Sequence, residues 1–296
     1  MTDSLRTTTA PDGRTIGFAQ WGDRGGTPVI SLHGTPGSRL GRVPDENAVR
    51  AAGLHVITYD RAGYGVSDRH PGRSVVDDVA DVAAIADALG LDRFYITGGS
   101  GGGPHSMAAA ARLADRVIAA EAAVSPVPYN LDGFDFFAGM DPANITEFGW
   151  ALDGEQTLHR ELTREAREIL ERIDAGRNED ALGEFELDES DRAVLAREDM
   201  KQMYAEMFHH SFANGVWGWV DDDLAMLKPW GFDVGEIEVP ITIRYGSKDV
   251  LVPAAHGDWL AAHVPNAKVF RATDSGHLSG PEERVAHLLE LVNSAS

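Results

Sequence analysis

Apolar positions along this chain come in two alternating patterns. Short runs, Pro28 to Leu32, His55 to Tyr59, Phe94 to Thr97 and Val117 to Val124, end on His33-Gly34, Asp60, Gly98 and Ser125, as strands buried on both faces of a parallel sheet do. Between them lie segments with helical spacing: Arg42 to Ala52, Val75 to Leu89 and the alanine-rich Ser106 to Ala114. In the second of these, Val75, Val79, Val82, Ile85, Ala86 and Leu89 share one face, and Gly90 supplies the stop. Upstream, Leu5 to Thr9 and Thr15 to Trp21 flank Pro11-Asp12-Gly13, a turn signal that predicts a hairpin at the sheet edge. Strand and helix then alternate, which predicts an α/β fold with a mostly parallel, doubly wound sheet.

The pattern changes between Val127 and Asp233. No strand is legible there, and two amphipathic, charge-rich segments, Glu155 to Ala175 and Asp191 to Phe212, predict helices. Aromatic residues gather at both ends of this stretch, Phe136, Phe148 and Trp150 in the first part and Phe208, Trp219 and Trp230 in the last. The sheet resumes with Pro240 to Tyr245, followed by a helix from Pro253 to His263, a strand from Lys268 to Ala272 and a helix from Glu282 to Val292. The chain therefore divides into an α/β core, residues 1–126 and 234–296, interrupted by a helical layer, residues 127–233.

The third apolar run stops on Gly98-Gly99-Ser100-Gly101-Gly102 and leads into a helix. A strand that reverses sharply into a helix strains the residue at the apex, and its neighbours two places away must be small. Gly98 and Gly102 stand at those places, which presents Ser100 as a candidate nucleophile; an ordinary glycine-rich turn is the competing reading. Because strand C-termini converge on one crevice in an open α/β sheet, residues after other strands become partners. Asp249 and His277 both occupy such positions, and the order Ser100, Asp249, His277 supplies nucleophile, orienting carboxylate and base. Asp274 rivals Asp249, but a residue three places from His277 is poorly placed to reach the far ring nitrogen. For an oxyanion, one donor is the Gly101 amide and the other comes from the loop His33-Gly34-Thr35-Pro36-Gly37. Thr35 is the preferred donor, Gly34 and Gly37 remain alternatives, and Pro36 has no amide hydrogen. His33 reads as a side chain that shapes this loop.

Composition narrows the function classes. The chain has 296 residues, 43% of them hydrophobic, a net charge of -21 and a pI near 4.8. Such a charge repels phosphate backbones and anionic lipid, so neither nucleic acid nor a membrane is an expected partner. The chain has no cysteine, which removes disulfides, thiolate metal ligands and a cysteine nucleophile. Met1 to Ala10 has no apolar secretory core, and a cytoplasmic protein is expected. No cofactor or metal is expected either. His209-His210 with Asp221-Asp222-Asp223 lacks the i, i+4 histidine pair of zinc proteases, and Gly98 to Gly103 lacks the lysine of a phosphate loop. The charge alternation of Glu155 to Ala175 reads as a solvated helix face.

His33-Gly34-Thr35-Pro36-Gly37, Asp60-Arg61-Ala62-Gly63-Tyr64-Gly65-Val66-Ser67-Asp68, Gly98 to Gly102, Asp249 with Val252-Pro253, and Gly276-His277 together resemble the α/β-hydrolase fold family. The resemblance covers nearly all of the chain outside residues 127–233, and that insertion looks like the cap such enzymes carry between the sixth and seventh strands. Within the family the chain is similar to proline iminopeptidase-like members, esterases and C–C bond hydrolases. Haloalkane dehalogenases and epoxide hydrolases have aspartate at the elbow, where this chain has Ser100. The resemblance implies a serine hydrolase acting through an acyl-enzyme on a small-molecule substrate, with a carboxylic ester bearing an apolar group as the leading class. An aminopeptidase is the runner-up and would need a cap carboxylate, with Glu147, Glu155 and Glu206 among the candidates. A ligand-binding receptor on the same fold, with little turnover, is the alternative from another class.

Overall fold

The computed structural model describes residues 5–177 and 185–294, so residues 178–184 of the insertion lie outside the described residues. An eight-stranded sheet has the order β1-β2-β4-β3-β5-β6-β7-β8. The strands are β1 Arg6–Thr9, β2 Thr15–Gly22, β3 Thr27–Leu32, β4 Leu54–Tyr59, β5 Phe94–Gly99, β6 Val117–Ala123, β7 Ile241–Gly246 and β8 Lys268–Ala272. The edge hairpin is antiparallel, as is the β2–β4 pair, and every later pairing is parallel. The helices are α1 Glu46–Ala51, α2 Asp78–Ala88 and α3 Gly102–Arg112, then α4 Pro142–Leu152, α5 Glu155–Asp174, α6 Glu189–Leu195, α7 Glu198–Ser211 and α8 Trp217–Met226 between β6 and β7, and finally α9 Ala254–His263 and α10 Pro281–Asn293. This is the mostly parallel α/β sheet, with helices on both faces, that the alternation of strands and helices predicts. Among the described residues, no helix is long and apolar enough to cross a membrane.

Successive strand residues point to opposite faces, and both faces are buried. Val29, Val56 and Ala119 pack with Val49 of α1 and Leu288 and Leu291 of α10. Their neighbours Ile30, Ile57 and Ala120 pack on the other side with Val82 and Ile85 of α2, Met107 of α3 and Leu260 of α9. That double burial is why the strands read as continuous apolar runs. The inserted helices have a core of their own, built on Leu158 and Leu162 of α5, Met200 and Phe208 of α7, and Trp219 and Val220 of α8.

Four helical expectations change. Helix α1 begins after Pro44, where the Asp45 side chain accepts the Ala48 amide at 3.0 Å and caps it, so the expected start at Arg42 is too early. Helix α3 begins at Gly102 instead of Ser106 because the turn closes with Gly103 N–H on the Ser100 carbonyl at 2.9 Å, and Pro104 falls in its first turn, where a missing N–H costs nothing. The single helix expected over residues 191–212 is two, α6 and α7. Helices α4 and α8 were not expected at all, although Asp141-Pro142 is a legible start for α4, with the Asp141 side chain accepting the Ala143 amide at 2.8 Å.

The strand order positions the site. Strand β3 lies between β4 and β5, so the chain leaves β3 to one side and returns to the other, and the loops after β3 and β5 open a crevice between them. Leu32 is opposite Gly98 in the β3–β5 register, so residues 33–35 and 99–101 emerge side by side.

Candidate active site

Ser100 follows the last residue of β5 with φ of 55°, a left-handed conformation that a residue with a β-carbon adopts only when its surroundings impose it. Here Ser100 N–H donates to the Ala123 carbonyl of β6 at 2.9 Å. A β-carbon on Gly98 would lie 2.1 Å from the Gly102 carbonyl oxygen, and one on Gly102 would lie 2.5 Å from that of Leu32. Small residues two places either side of Ser100 are therefore a packing requirement. Gly101 is equally confined: a β-carbon there would lie 2.2 Å from Thr35 Oγ1 and 3.1 Å from the Thr35 amide nitrogen. The two backbone donors singled out in the sequence, Gly101 and Thr35, are thus neighbours beside the serine. Gly34 is close as well, its missing β-carbon 3.4 Å from Ser100 Cβ.

His277 stands in the loop between β8 and α10, and Asp249 in the loop after β7. His277 Nδ1–H donates to Asp249 Oδ2 at 2.7 Å, while Asp249 Oδ1 accepts the Leu251 and Val252 amides, each at 2.9 Å. Both carboxylate oxygens are therefore occupied, and one of them fixes the imidazole tautomer. Burial alone would lower the His277 pKa, but the Asp249 charge and its hydrogen bond outweigh burial and raise it above its ordinary 6.5. Asp274 is exposed and pairs with Lys248 at 3.2 Å, so Asp249 is the carboxylate that meets the histidine.

The inserted helices hold both the His277 loop and the His33-Gly34-Thr35 loop, a feature that sequence reading missed. From α6, Asp191 accepts the Leu278 amide at 2.6 Å and Ser190 Oγ accepts the Gly276 amide at 2.9 Å, which ties down the His277 loop. From α8, buried Asp222 reaches the His33-Gly34-Thr35 loop. Asp222 Oδ2 accepts from Thr35 Oγ1 at 2.7 Å, Arg61 Nη2 at 2.6 Å and Tyr64 OH at 2.9 Å, and Oδ1 accepts from Arg73 Nη2 at 2.6 Å. Burial by itself would push Asp222 up, yet Arg61 and Arg73 hold its carboxyl well below the usual range. Arg61 in turn donates to the His33 carbonyl, and to the Gly34 carbonyl at 3.0 Å. His33 accepts the Arg61 amide on Nε2 at 3.2 Å and donates from Nδ1 to the Gly34 carbonyl at 2.7 Å. Burial, reinforced by Arg61, pushes His33 down to about 3. With both nitrogens occupied and the ring neutral, His33 shapes the loop and has no free position for acid–base work.

Ser100, Thr35, Gly101 and His277 line one cavity of about 690 Å³, together with Met140, Phe148, Trp150, Met203, Phe208 and Trp219 from the insertion. Of the three glutamates singled out in the sequence, Glu147 lines this cavity. Glu155 lies by Arg69 at 3.8 Å and Glu206 by Arg42 at 3.3 Å. Glu147 accepts from Trp219 Nε1 at 2.7 Å and faces Asp223, which also lines the cavity. Burial pushes Glu147 up to about 7 and, with the Glu147 charge beside it, pushes Asp223 well above its usual range. Helix α5 is less uniformly solvated than expected, since Arg164, Glu165, Glu168 and Arg172 border the same cavity. His209 pairs with Asp174 at 3.0 Å and His210 with Asp60 at 3.1 Å.

Comparison with known proteins identifies the family to which this fold belongs. The family model described as alpha/beta hydrolase fold matches residues 27–283. A proline iminopeptidase of Xanthomonas citri is 27% identical over 305 aligned positions, covering 94% of this chain and 92% of that protein. A pimeloyl-[acyl-carrier protein] methyl ester esterase of Chromobacterium violaceum is 28% identical, covering 90% of this chain and 94% of that protein. Among solved structures, a thermophilic esterase from Thermogutta terrifontis superposes with a TM-score of 0.68 at 20% identity, covering 99% of each chain.

Proposed function

Since the chain belongs to the α/β hydrolase fold family, we propose that it is a serine hydrolase that forms an acyl-enzyme on Ser100 and cleaves carboxylic esters carrying an apolar group. The observation that carries this reading is the His277–Asp249 pair, 2.7 Å apart, whose imidazole lines one cavity with a serine held at positive φ on a strand-to-helix elbow. In this reading Ser100 Oγ attacks the ester carbonyl carbon as its proton passes to His277 Nε2, and Asp249 stabilises the imidazolium that forms. The carbonyl oxygen becomes an oxyanion held by the Gly101 and Thr35 amides. Collapse breaks the bond to the alcohol oxygen, which leaves with the proton from His277. Water, deprotonated by the same ring, then releases the acid. The inserted helices are the cap of this site, residues 127–233 over a core of residues 1–126 and 234–296. Their contribution of Phe148, Trp150, Met203 and Phe208 to the cavity wall supports an apolar group on the substrate.

A second reading is supported by the Glu147–Asp223 pair: two cap carboxyl groups in the cavity that holds Ser100 suit the free amine of an aminoacyl substrate. Rates on nitrophenyl esters of short and long acids, beside aminoacyl anilides, separate the two. The ester reading expects turnover of the longer apolar esters to exceed that of the anilides and to vanish in Ser100→Ala. Turnover of no substrate above the Ser100→Ala background would overturn the enzymatic reading and favour a ligand-binding role.

A further inference from the structure

We propose that Asp222 of the cap is a positioning residue for the oxyanion site, so that the Thr35 donor is aimed from α8 and not by the core alone. The proposal rests on the serine-hydrolase reading above. Its physical basis is the planarity of one peptide group. The Gly34 carbonyl and the Thr35 amide belong to the same trans unit and point in opposite directions. Whatever holds the Gly34 oxygen therefore aims the Thr35 N–H. That oxygen is held by Arg61 Nη2 at 3.0 Å and His33 Nδ1 at 2.7 Å. Arg61 is oriented in turn by Asp222, through Nη2 at 2.6 Å and Nε at 3.3 Å. Asp222 also grips the next side chain directly, through Thr35 Oγ1 at 2.7 Å. Two successive points of the loop are thus tied to one carboxylate that belongs to the cap.

The loop needs such an anchor. Its own sequence, with glycines at 34 and 37, restrains the backbone weakly. A fully buried carboxylate between two arginines is in addition an expensive way to gain stability alone. The neighbouring residue provides the contrast. Asp221, on the same helix, pairs with Arg69 at 2.7 Å, and among the described residues it makes no hydrogen bond or ion pair to the loop. Asp221 therefore seats α8 without aiming the donor, and Asp222 does both.

The test is the rate at which a small fluorophosphonate modifies Ser100 in the full chain, followed by intact mass. In that reaction Ser100 Oγ bonds to phosphorus, fluoride leaves, His277 takes the proton, and the phosphonyl oxygen occupies the oxyanion position. Thr35→Val removes the hydroxyl that donates to Asp222 and accepts from Arg61 Nη2 at 3.1 Å, the two members of the proposed anchor, and leaves the buried charges in place, so it tests the proposal even where Asp222→Asn fails to fold. Thr35→Val and Asp222→Asn are expected to slow modification by about 10- to 100-fold, the scale on which small misplacements act. Thr35→Ser is expected to recover most of that loss, and Asp221→Asn to stay within about threefold of the unaltered chain. Modification of Thr35→Val at the unaltered rate, or equal slowing by Asp221→Asn, would overturn the positioning role while leaving Ser100 as nucleophile. Failure of the unaltered chain to react at Ser100 would remove the serine-hydrolase reading, and the positioning role with it.

Discussion

Asp249 shows how much depends on one carboxylate. Its Oδ1 is committed to the Leu251 and Val252 amides and its Oδ2 to His277, so the residue is rigid before any substrate arrives. Asp249→Asn keeps the shape but offers His277 an amide in place of an anion, and kcat is expected to fall by about 10³- to 10⁴-fold with little change in Tm. Asp274→Asn, on an exposed side chain paired with Lys248, is expected to change kcat less than about twofold. Equal losses from the two substitutions would remove the distinction between them, and a larger loss from Asp274→Asn would reverse it. The same contact sets the pH dependence. The proposed mechanism needs neutral His277, and burial, which lowers its pKa, is outweighed by Asp249, which raises it above 6.5. The acid limb of kcat/KM is therefore expected to have its midpoint above pH 6.5 and to move downward when Asp249 is neutralised. A midpoint below 6 in the unaltered chain would count against His277 as the base.

At the scale of the element, the elbow and α8 work in opposite ways. The elbow is legible because backbone crowding dictates its residues: the β-carbon that Gly98 lacks would meet a carbonyl oxygen at 2.1 Å. Gly98→Ala is expected to destabilise the fold by about 3 kcal/mol or more, the upper range for overpacking. Gly101→Ala, whose β-carbon would strike the Thr35 side chain at 2.2 Å, is expected to lower activity at least about tenfold with a smaller loss of stability. Denaturant midpoints beside ester turnover check both, and a stable, fully active Gly98→Ala variant would contradict the packing argument. Helix α8 is not legible in this way. Asp221, Asp222 and Asp223 read as an undifferentiated acidic run, yet successive residues turn by about 100° along a helix. They meet Arg69, the Arg61–Arg73 pair and Glu147 respectively. Which face meets which neighbour is decided by how α8 sits on the core.

At the scale of the molecule, the helices between β6 and β7 share in the cavity: they supply part of its wall, the Asp191 and Asp222 contacts to the two loops, and a buried acid pair. That pair has a cost that depends on pH. Burial raises Glu147 to about 7 in the folded chain, above the value near 4.3 of an exposed glutamate. The folded state therefore binds more protons than the unfolded one between about pH 4.3 and 7, and stability falls as pH rises through that window. Glu147→Gln is expected to remove this fall, so its Tm gains on the unaltered chain from pH 5 to pH 8. A difference in Tm that is constant with pH would show that Glu147 is not titrating there.

By itself, the sequence determined the sheet, its connections, the sharp turn at Ser100 and the pairing of Asp249 with His277. Each of these follows from a local rule: double burial makes a strand apolar, a tight turn demands glycine, and strand ends in an open parallel sheet share one crevice. The tertiary structure alone decided that Asp222 grips the Thr35 loop, that Asp191 holds the His277 loop, and that Glu147 faces the cavity while Glu155 and Glu206 do not. Those contacts join residues up to 187 positions apart across the boundary between insertion and core. The rotation and seating of an amphipathic helix depend on the surface that receives it, which no local pattern of polar and apolar residues encodes.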